Sequence, residues 1–523
     1  MIKYSARFKK YRKNKYAKPL NSEVYTVFLL IFIFELIGGI YMGYVKNIVM
    51  NDAFSRTANA FYVLFIKPPR FASIGLVWNP LPSVLQLPIM LLAKLWRPIA
   101  SSGIAASMVT AIFSASSAVI LLNAFVRLNI SKKIAYFFII LYVINPFIFF
   151  YGLNGMSEMI FFFIIIYTVL NITLWMKEGL PDYILKIGFA LAFAFFCRYE
   201  AIPFGAAVGL GVMLIIFFSR TEKQYVPKTN IKERYFYAEG TAIVLYTPLL
   251  YSIILWILFN WIISGNPLYF LNSTYSNASQ SEFAFKLDGP IYAFSYAIKK
   301  TIPFLPPLLA LIIVRITTNK LFKNDFLVLI NMVIIMFVFH WLMLIGGKSF
   351  GWLRFFSYPL VICMAWIPYE LSELKEKYKP FALFIISISL VSSIILTGLA
   401  LNDPKYSPEE HDVIISNEAL IVANYINEEL SEEKVLMDAF LTGGVILNTK
   451  NVDNLVISSS LEFKEAIENP HKYGINYLLI PNTTGVGALD AINLKYPELF
   501  SSGADWCILK EDFENFKLFE IIY

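Results

Sequence analysis

Residues 24–45 read VYTVFLLIFIFELIGGIYMGYV, and this run decides the class of fold. It holds about 22 residues, the length an α-helix needs to cross a hydrocarbon layer roughly 30 Å thick. The run is too long for the apolar core of a signal peptide and carries no small-residue cleavage site, so it reads as a retained first membrane helix. A basic arm, residues 1–23, precedes it and contains Lys3, Arg7, Lys9, Lys10, Arg12, Lys13, Lys15 and Lys18. Positive charge flanking a membrane helix marks the cytoplasmic side, which predicts a cytoplasmic N-terminus. Because that role accounts for the arm, no nucleic-acid partner is expected.

Similar runs recur outward from this helix, at 103–126, 134–152, 157–175, 185–199, 201–219, 240–264, 302–316, 326–346, 355–369 and 381–401. With the first, they make about eleven crossings. Composition agrees: 58% of residues are hydrophobic and the mean hydropathy is +0.61, more apolar surface than one soluble core hides. The three cysteines, Cys197, Cys363 and Cys507, show no CxxC spacing. They read as packing residues, which excludes structural zinc and a disulfide-stapled scaffold.

One apolar stretch resists assignment as a crossing. Residues 80–96, PLPSVLQLPIMLLAKLW, carry Pro80, Pro82 and Pro88, and proline inside a helix removes a hydrogen bond and clashes with the preceding turn. Counting it would move Arg127, Lys132, Lys133, Arg315, Lys320, Lys323, Lys375, Lys377 and Lys379 to the outside, together with the basic stretch around Arg220 to Arg234. The positive-inside rule rejects that arrangement and makes 80–96 interfacial or re-entrant. Residues 24–401 then form the membrane domain, with outer loops 47–100 and 265–300, short outer turns at 153–156 and 347–354, and residues after 402 outside.

Several polar residues at these outer ends are not explained by burial in lipid. Asp52 and Arg56, just past the first helix, fit an i,i+4 ion pair on a short surface helix or a reactive pair facing a cavity. Glu158, after Asn154-Gly155-Met156-Ser157, opens a run of Ile and Phe, where an ionised carboxylate must be paired or hydrated. Arg198 and Glu200 sit at a junction with almost no loop and can cap the turn or serve a site. Lys348 and Arg354 flank the 347–354 turn, where they either snorkel or hold phosphate. His340, within an apolar helix, reads as a satisfied packing histidine. Carboxylates that can take a proton from an acceptor hydroxyl, beside cations that can hold a phosphate leaving group, suit transfer from a lipid-linked phosphate.

In layout these residues resemble the GT-C superfamily of integral membrane glycosyltransferases. The closer likeness is to the branch that includes protein O-mannosyltransferases and the lipid A aminoarabinose transferase. The resemblance runs over residues 20–400. An acidic residue follows the first helix (Asp52), a Pro-rich segment occurs at Trp78-Asn79-Pro80-Leu81-Pro82, and a polar-acidic turn spans Asn154 to Glu158. An Arg-x-Glu-like junction is formed by Arg198-Tyr199-Glu200, and an outer loop runs from Trp261 to Tyr269.

The resemblance implies inverting transfer of a sugar from a polyprenyl-phosphate donor to a glycan, lipid or protein acceptor on the extracytoplasmic face of the cell membrane. It makes Asp52 the catalytic base and sets Glu158 beside it in the cavity. Arg56, Trp78, Asn79, Asn154, Arg198, Glu200, Lys348 and Arg354 become candidates for substrate contact. No paired-acid motif follows Asp52, so no metal cofactor is expected to be required, although a divalent ion is compatible with the chemistry. The competing reading is a transporter or flippase for lipid-linked saccharides, since charged groups facing a membrane cavity also mark translocation pathways.

Composition changes at Asn402-Asp403-Pro404, a helix breaker. Residues 402–523 read as a small α/β domain of a size to fold alone, with a helix at 415–430 and strands at 435–438, 454–457, 477–481, near 505–510 and at 516–522. Leu441-Thr442-Gly443-Gly444-Val445 fits no phosphate-binding fingerprint and reads as a turn.

Overall fold

The computed structural model describes residues 19–218, 230–280, 287, 289–411 and 417–522. The basic residues Lys3 to Lys18, and with them Arg220, Lys223 and Lys228, lie outside the described residues. Among those described, seven helices are long and apolar enough to cross a membrane, and nine if each of two bent pairs is one span. The first is Asn21–Val45, and the last is Glu376–Asn402.

Both bends follow from proline. Lys132–Val143 meets Pro146–Leu153 at 70°, and Pro290–Phe304 meets Pro306–Thr317 at 79°. Proline at the first turn of the second helix lacks the N–H that would continue the ladder, and it disfavours helical geometry in the residue before it. At the first break Asn145 Oδ1 accepts from the backbone N–H groups of Phe147 and Ile148, restarting the helix. The other two of the eleven apolar runs are helices of 17 residues, Pro181–Cys197, and 16 residues, Tyr358–Glu373. Pro290–Thr301, assigned from sequence to an outer loop, is helical.

The proline-rich stretch is short, as its reading requires: Leu81–Met90 is followed by a 3-10 turn, Leu91–Lys94. It buries Ser83 and Gln86 while Leu91, Leu92 and Leu95 stay exposed. Close contact between helices rests on small residues. A Cβ on Gly39 would stand 2.7 Å from Ser107 Cβ and 2.8 Å from the Leu153 carbonyl. Glu35, within the opening run, is fully buried and accepts a 2.6 Å hydrogen bond from Ser114.

The C-terminal unit contains a five-stranded sheet, β1 Val435–Met437, β2 Leu455–Ile457, β3 Tyr477–Pro481, β4 Cys507–Asp512 and β5 Phe516–Ile521, in the order β2-β1-β3-β5-β4. β1, β2 and β3 are parallel, and β5 and β4 join antiparallel. Leu441 to Val445, read as a turn, lie within the helix Ala439–Asn448.

This unit has one hydrophobic cluster of its own, with Leu436, Leu478, Ile480 and Phe519, and shares a second. In the shared cluster Val422, Ile426, Met437, Val445 and Leu479 pack with Phe54, Phe61, Tyr62, Met90 and Ile99 of the first loop. Polar contacts reinforce the seam. Arg97 Nε donates to the Leu447 carbonyl at 2.7 Å and Nη2 to Thr449 at 2.9 Å, meeting the carbonyl end of Ala439–Asn448. Lys67 pairs with Asp453 at 2.5 Å.

Candidate active site

The polar outliers of the sequence converge on one cavity beside this seam. Asp52 lies in the first turn of the helix Asn51–Phe65 and Glu158 in the first turn of Ser157–Glu178. A helix N-terminus presents unpaired N–H groups and the positive end of the dipole, so both positions favour a carboxylate. Gly155 brings the two turns together: its φ is +78°, and a Cβ there would stand 2.6 Å from Ala106 Cβ and 3.2 Å from Ala53 Cβ. Only glycine allows that approach with that backbone.

Two guanidinium groups link three carboxylates into a chain. Arg354, in the 3-10 turn Leu353–Phe356, donates through Nη2 to Asp52 Oδ2 at 2.8 Å, and its Nε lies 3.1 Å from Glu158 Oε1. Arg198, where the helix Pro181–Cys197 ends, donates through Nη1 to Glu158 Oε1 at 2.5 Å and to Ser157 Oγ at 3.0 Å. Its Nη2 reaches Glu200 Oε1 at 2.5 Å. Arg354, Glu158 and Arg198 are buried, and Asp52 keeps 19% of its side chain exposed. The turn that carries Arg354 is itself held by Glu409, whose Oε1 accepts from the Leu353 N–H at 2.5 Å.

The chain of charges opens on a cavity of about 350 Å³. Asp52, Arg56, Trp78, Asn79, Arg198, Glu200, Lys348 and Arg354, all singled out from sequence, line it. Arg56 is buried with Nε and Nη1 unpartnered, and its guanidinium lies 5.7 Å from the centre of the Trp78 ring. Asn79 Nδ2 donates to the Phe195 carbonyl at 2.5 Å, so this amide anchors the wall. Lys348 is exposed at the edge.

Burial drives the Asp52 carboxyl up, but the cations of Arg354, Arg56 and Arg198 outweigh it and hold Asp52 below its ordinary value. For Glu200 burial acts in the same upward sense, and Arg198 reverses it to give a value of about 2. Both stay ionised at neutral pH. Four cationic side chains, Arg56, Arg198, Lys348 and Arg354, face three carboxylates, Asp52, Glu158 and Glu200, which leaves one positive charge over.

No family model matches the sequence, and no curated protein does. Solved structures do match. ArnT from Cupriavidus metallidurans, in a crystal structure bound to undecaprenyl phosphate, aligns over 96% of this chain and 98% of its own, with a TM-score of 0.57 and 10% identity. Its apo crystal structure aligns over 95% and 98%, with a TM-score of 0.56 and 10% identity. The chain has the GT-C fold of ArnT. Coverage of 96% carries the likeness past residue 400, where the sequence resemblance stops.

Within the ArnT-like fold three sequence assignments come out differently. Glu158, set in the cavity from sequence, does not line it; it is buried between Arg198 and Arg354, which do. Asn154 does not line the cavity; its Oδ1 accepts from the Met156 N–H at 3.0 Å, closing its own turn. His340, read as a satisfied packing residue, lines the cavity, and its Nε2 has no hydrogen-bond partner. Period alone cannot tell which face of an apolar helix meets a cavity.

Phe270, Leu271, Gln280, Trp352 and Phe355 also line it and were not singled out. Their signal was only their place in the 265–300 loop, in the 347–354 turn and at the start of the 355–369 run. That loop leans on the C-terminal unit: Tyr275 donates to Asp438 Oδ2 at 2.7 Å, and its ring lies 5.1 Å from Phe440. Among the described residues no group of three or more His, Cys, Asp or Glu converges as metal ligands.

Proposed function

We propose that this chain is a membrane glycosyltransferase that moves a sugar from a polyprenyl-phosphate donor to a glycan, lipid or protein acceptor at the face carrying the C-terminal unit. The observation that carries the reading is the pairing of an ionised, partly exposed Asp52 with a surplus of cationic side chains around one cavity. ArnT, in the structure bound to undecaprenyl phosphate, supports a polyprenyl phosphate as the donor's leaving group. The basic arm and the cationic turns set by the positive-inside rule support an extracytoplasmic face for the site.

In this reading the acceptor oxygen attacks the anomeric carbon from the side opposite the phosphate. The new C–O bond forms as the bond to phosphate breaks, and configuration inverts. The acceptor proton passes to Asp52, and the electron pair leaves with polyprenyl phosphate. Arg56, Arg198, Lys348 and Arg354 bind the growing phosphate charge, which is worth most in a site screened from water. Glu158 holds Arg198 and Arg354 in place.

The test is transfer by purified protein in lipid, supplied with polyprenyl-phosphate sugars and cell-envelope extract, comparing wild type with Asp52→Asn. Loss of transfer by about 100-fold or more, with donor binding kept, is the expected result for a general base. Donor moved across vesicles with no glycosidic product would refute the transferase and favour a flippase.

A further inference from the structure

His340 is one of the polar cavity groups that the proposed mechanism leaves unused. It lies near one end of the helix Asn324–Ile345 and is only 3% exposed. Its ring is nearly parallel to that of Phe355 at 5.3 Å and 8°, and to that of Tyr358 at 5.5 Å and 12°. Phe355 in turn stacks on Trp352 at 5.7 Å, and Trp352 on Phe350 at 4.8 Å. Five rings thus form a column, and four of them, all but Tyr358, line the cavity.

A buried ring nitrogen without a hydrogen bond is costly, and folded proteins rarely leave one. An apolar ring would stack as well with no such cost. Phe339 and Met343, its neighbours on the same helix, also line the cavity, and Glu200 and Arg198 are the charged groups whose fields reach the imidazole. The four cationic side chains account for a phosphate, but none of them is a neutral partner for a hydroxyl.

The geometry points to His340 as a sugar-recognition residue, whose imidazole exchanges a hydrogen bond with a hydroxyl of the glycosyl group carried by the donor. This rests on the transferase reading and adds to it a subsite for the sugar, distinct from that for the phosphate. A polyprenyl phosphate without sugar fills only the second.

The experiment measures equilibrium binding to the full-length protein in lipid of a polyprenyl-phosphate hexose, its single-deoxy analogues, and sugar-free polyprenyl phosphate. His340→Phe keeps a flat ring in the column and removes both nitrogens. The expected result is a loss of about 10- to 100-fold in affinity for the hexose donor, with sugar-free polyprenyl phosphate unchanged. One deoxy analogue should bind wild type as weakly as the hexose donor binds the variant, and the variant should not distinguish the two.

Equal weakening of sugar-free polyprenyl phosphate would overturn the assignment, because it would mark a packing role. So would wild type that binds every deoxy analogue like the parent, a result that needs no variant. Absence of glycosidic product from wild type with every sugar donor would instead defeat the transferase reading, and the binding comparison does not depend on turnover.

Discussion

Replacing Arg354 by Met keeps most of the side-chain stem and deletes the charge that bridges Asp52 and Glu158, at 2.8 and 3.1 Å. Two unit charges about 4 Å apart at an effective dielectric of about 20 interact by about 4 kcal/mol, equivalent to about 3 pKa units. Asp52 keeps the fields of Arg56 and Arg198, so its carboxyl should rise by up to that amount from its depressed value. A base works only when ionised, and activity therefore appears above its pKa. The acidic limb of the pH profile of kcat/KM should move to higher pH in Arg354→Met by about 2 to 3 units. The plateau should also fall by roughly 100-fold, since one phosphate-facing cation is gone.

Stability should drop by about 3 kcal/mol, near the lower end for breaking a buried pair, because Glu158 retains Arg198 at 2.5 Å. The assay is transfer by purified protein in lipid from pH 4 to pH 9, with thermal unfolding measured in parallel. An acidic limb that stays within about half a unit of wild type would refute the assignment of Asp52 as the titrating base held down by Arg354.

In the C-terminal unit burial, and next the nearby Asp438, push the Asp490 carboxyl from 3.8 up to about 8. The folded state then binds the proton more tightly than the unfolded chain, so the contribution of Asp490 to stability is fully present below about pH 4 and is lost as pH rises toward 8. Asp490→Asn keeps an acceptor for the N–H groups of Ile492 and Asn493 and should flatten this slope in unfolding curves recorded against pH. Tyr275→Phe removes the hydrogen bond to Asp438 that ties down the loop bearing Phe270, Leu271 and Gln280. Proteolysis within 269–280 should speed up about 10-fold, as loss of one buried hydrogen bond implies, and an unchanged rate would show that the ring contact alone holds the loop. Asp52, Glu158 and Glu200 are each bonded to a guanidinium, so treatment with EDTA should leave transfer unchanged. Loss that magnesium or manganese restores would refute that expectation.

The membrane helices were legible in the sequence because the requirement behind them is local. A segment crossing hydrocarbon must satisfy its own backbone and show lipid an apolar surface, so length and composition suffice. The strands of the C-terminal sheet were legible for a related reason, as short β-rich runs between breakers. Charged residues in apolar surroundings were equally visible, and eight of them and their neighbours, from Asp52 to Arg354, do line one cavity.

Pairing belongs to the tertiary structure. Arg354 and Asp52 are 302 positions apart, and no local pattern states that their helices meet. Gly155 decides how closely the turn before Glu158 approaches Ala53 and Ala106, a matter of tenths of an ångström. The same dependence turned Asn154 onto its own backbone, set His340 on the cavity wall, and joined one of the two hydrophobic clusters of the C-terminal unit to the first loop. Periodicity states which residues must leave water, whereas which buried face touches which depends on the close packing of all the elements together.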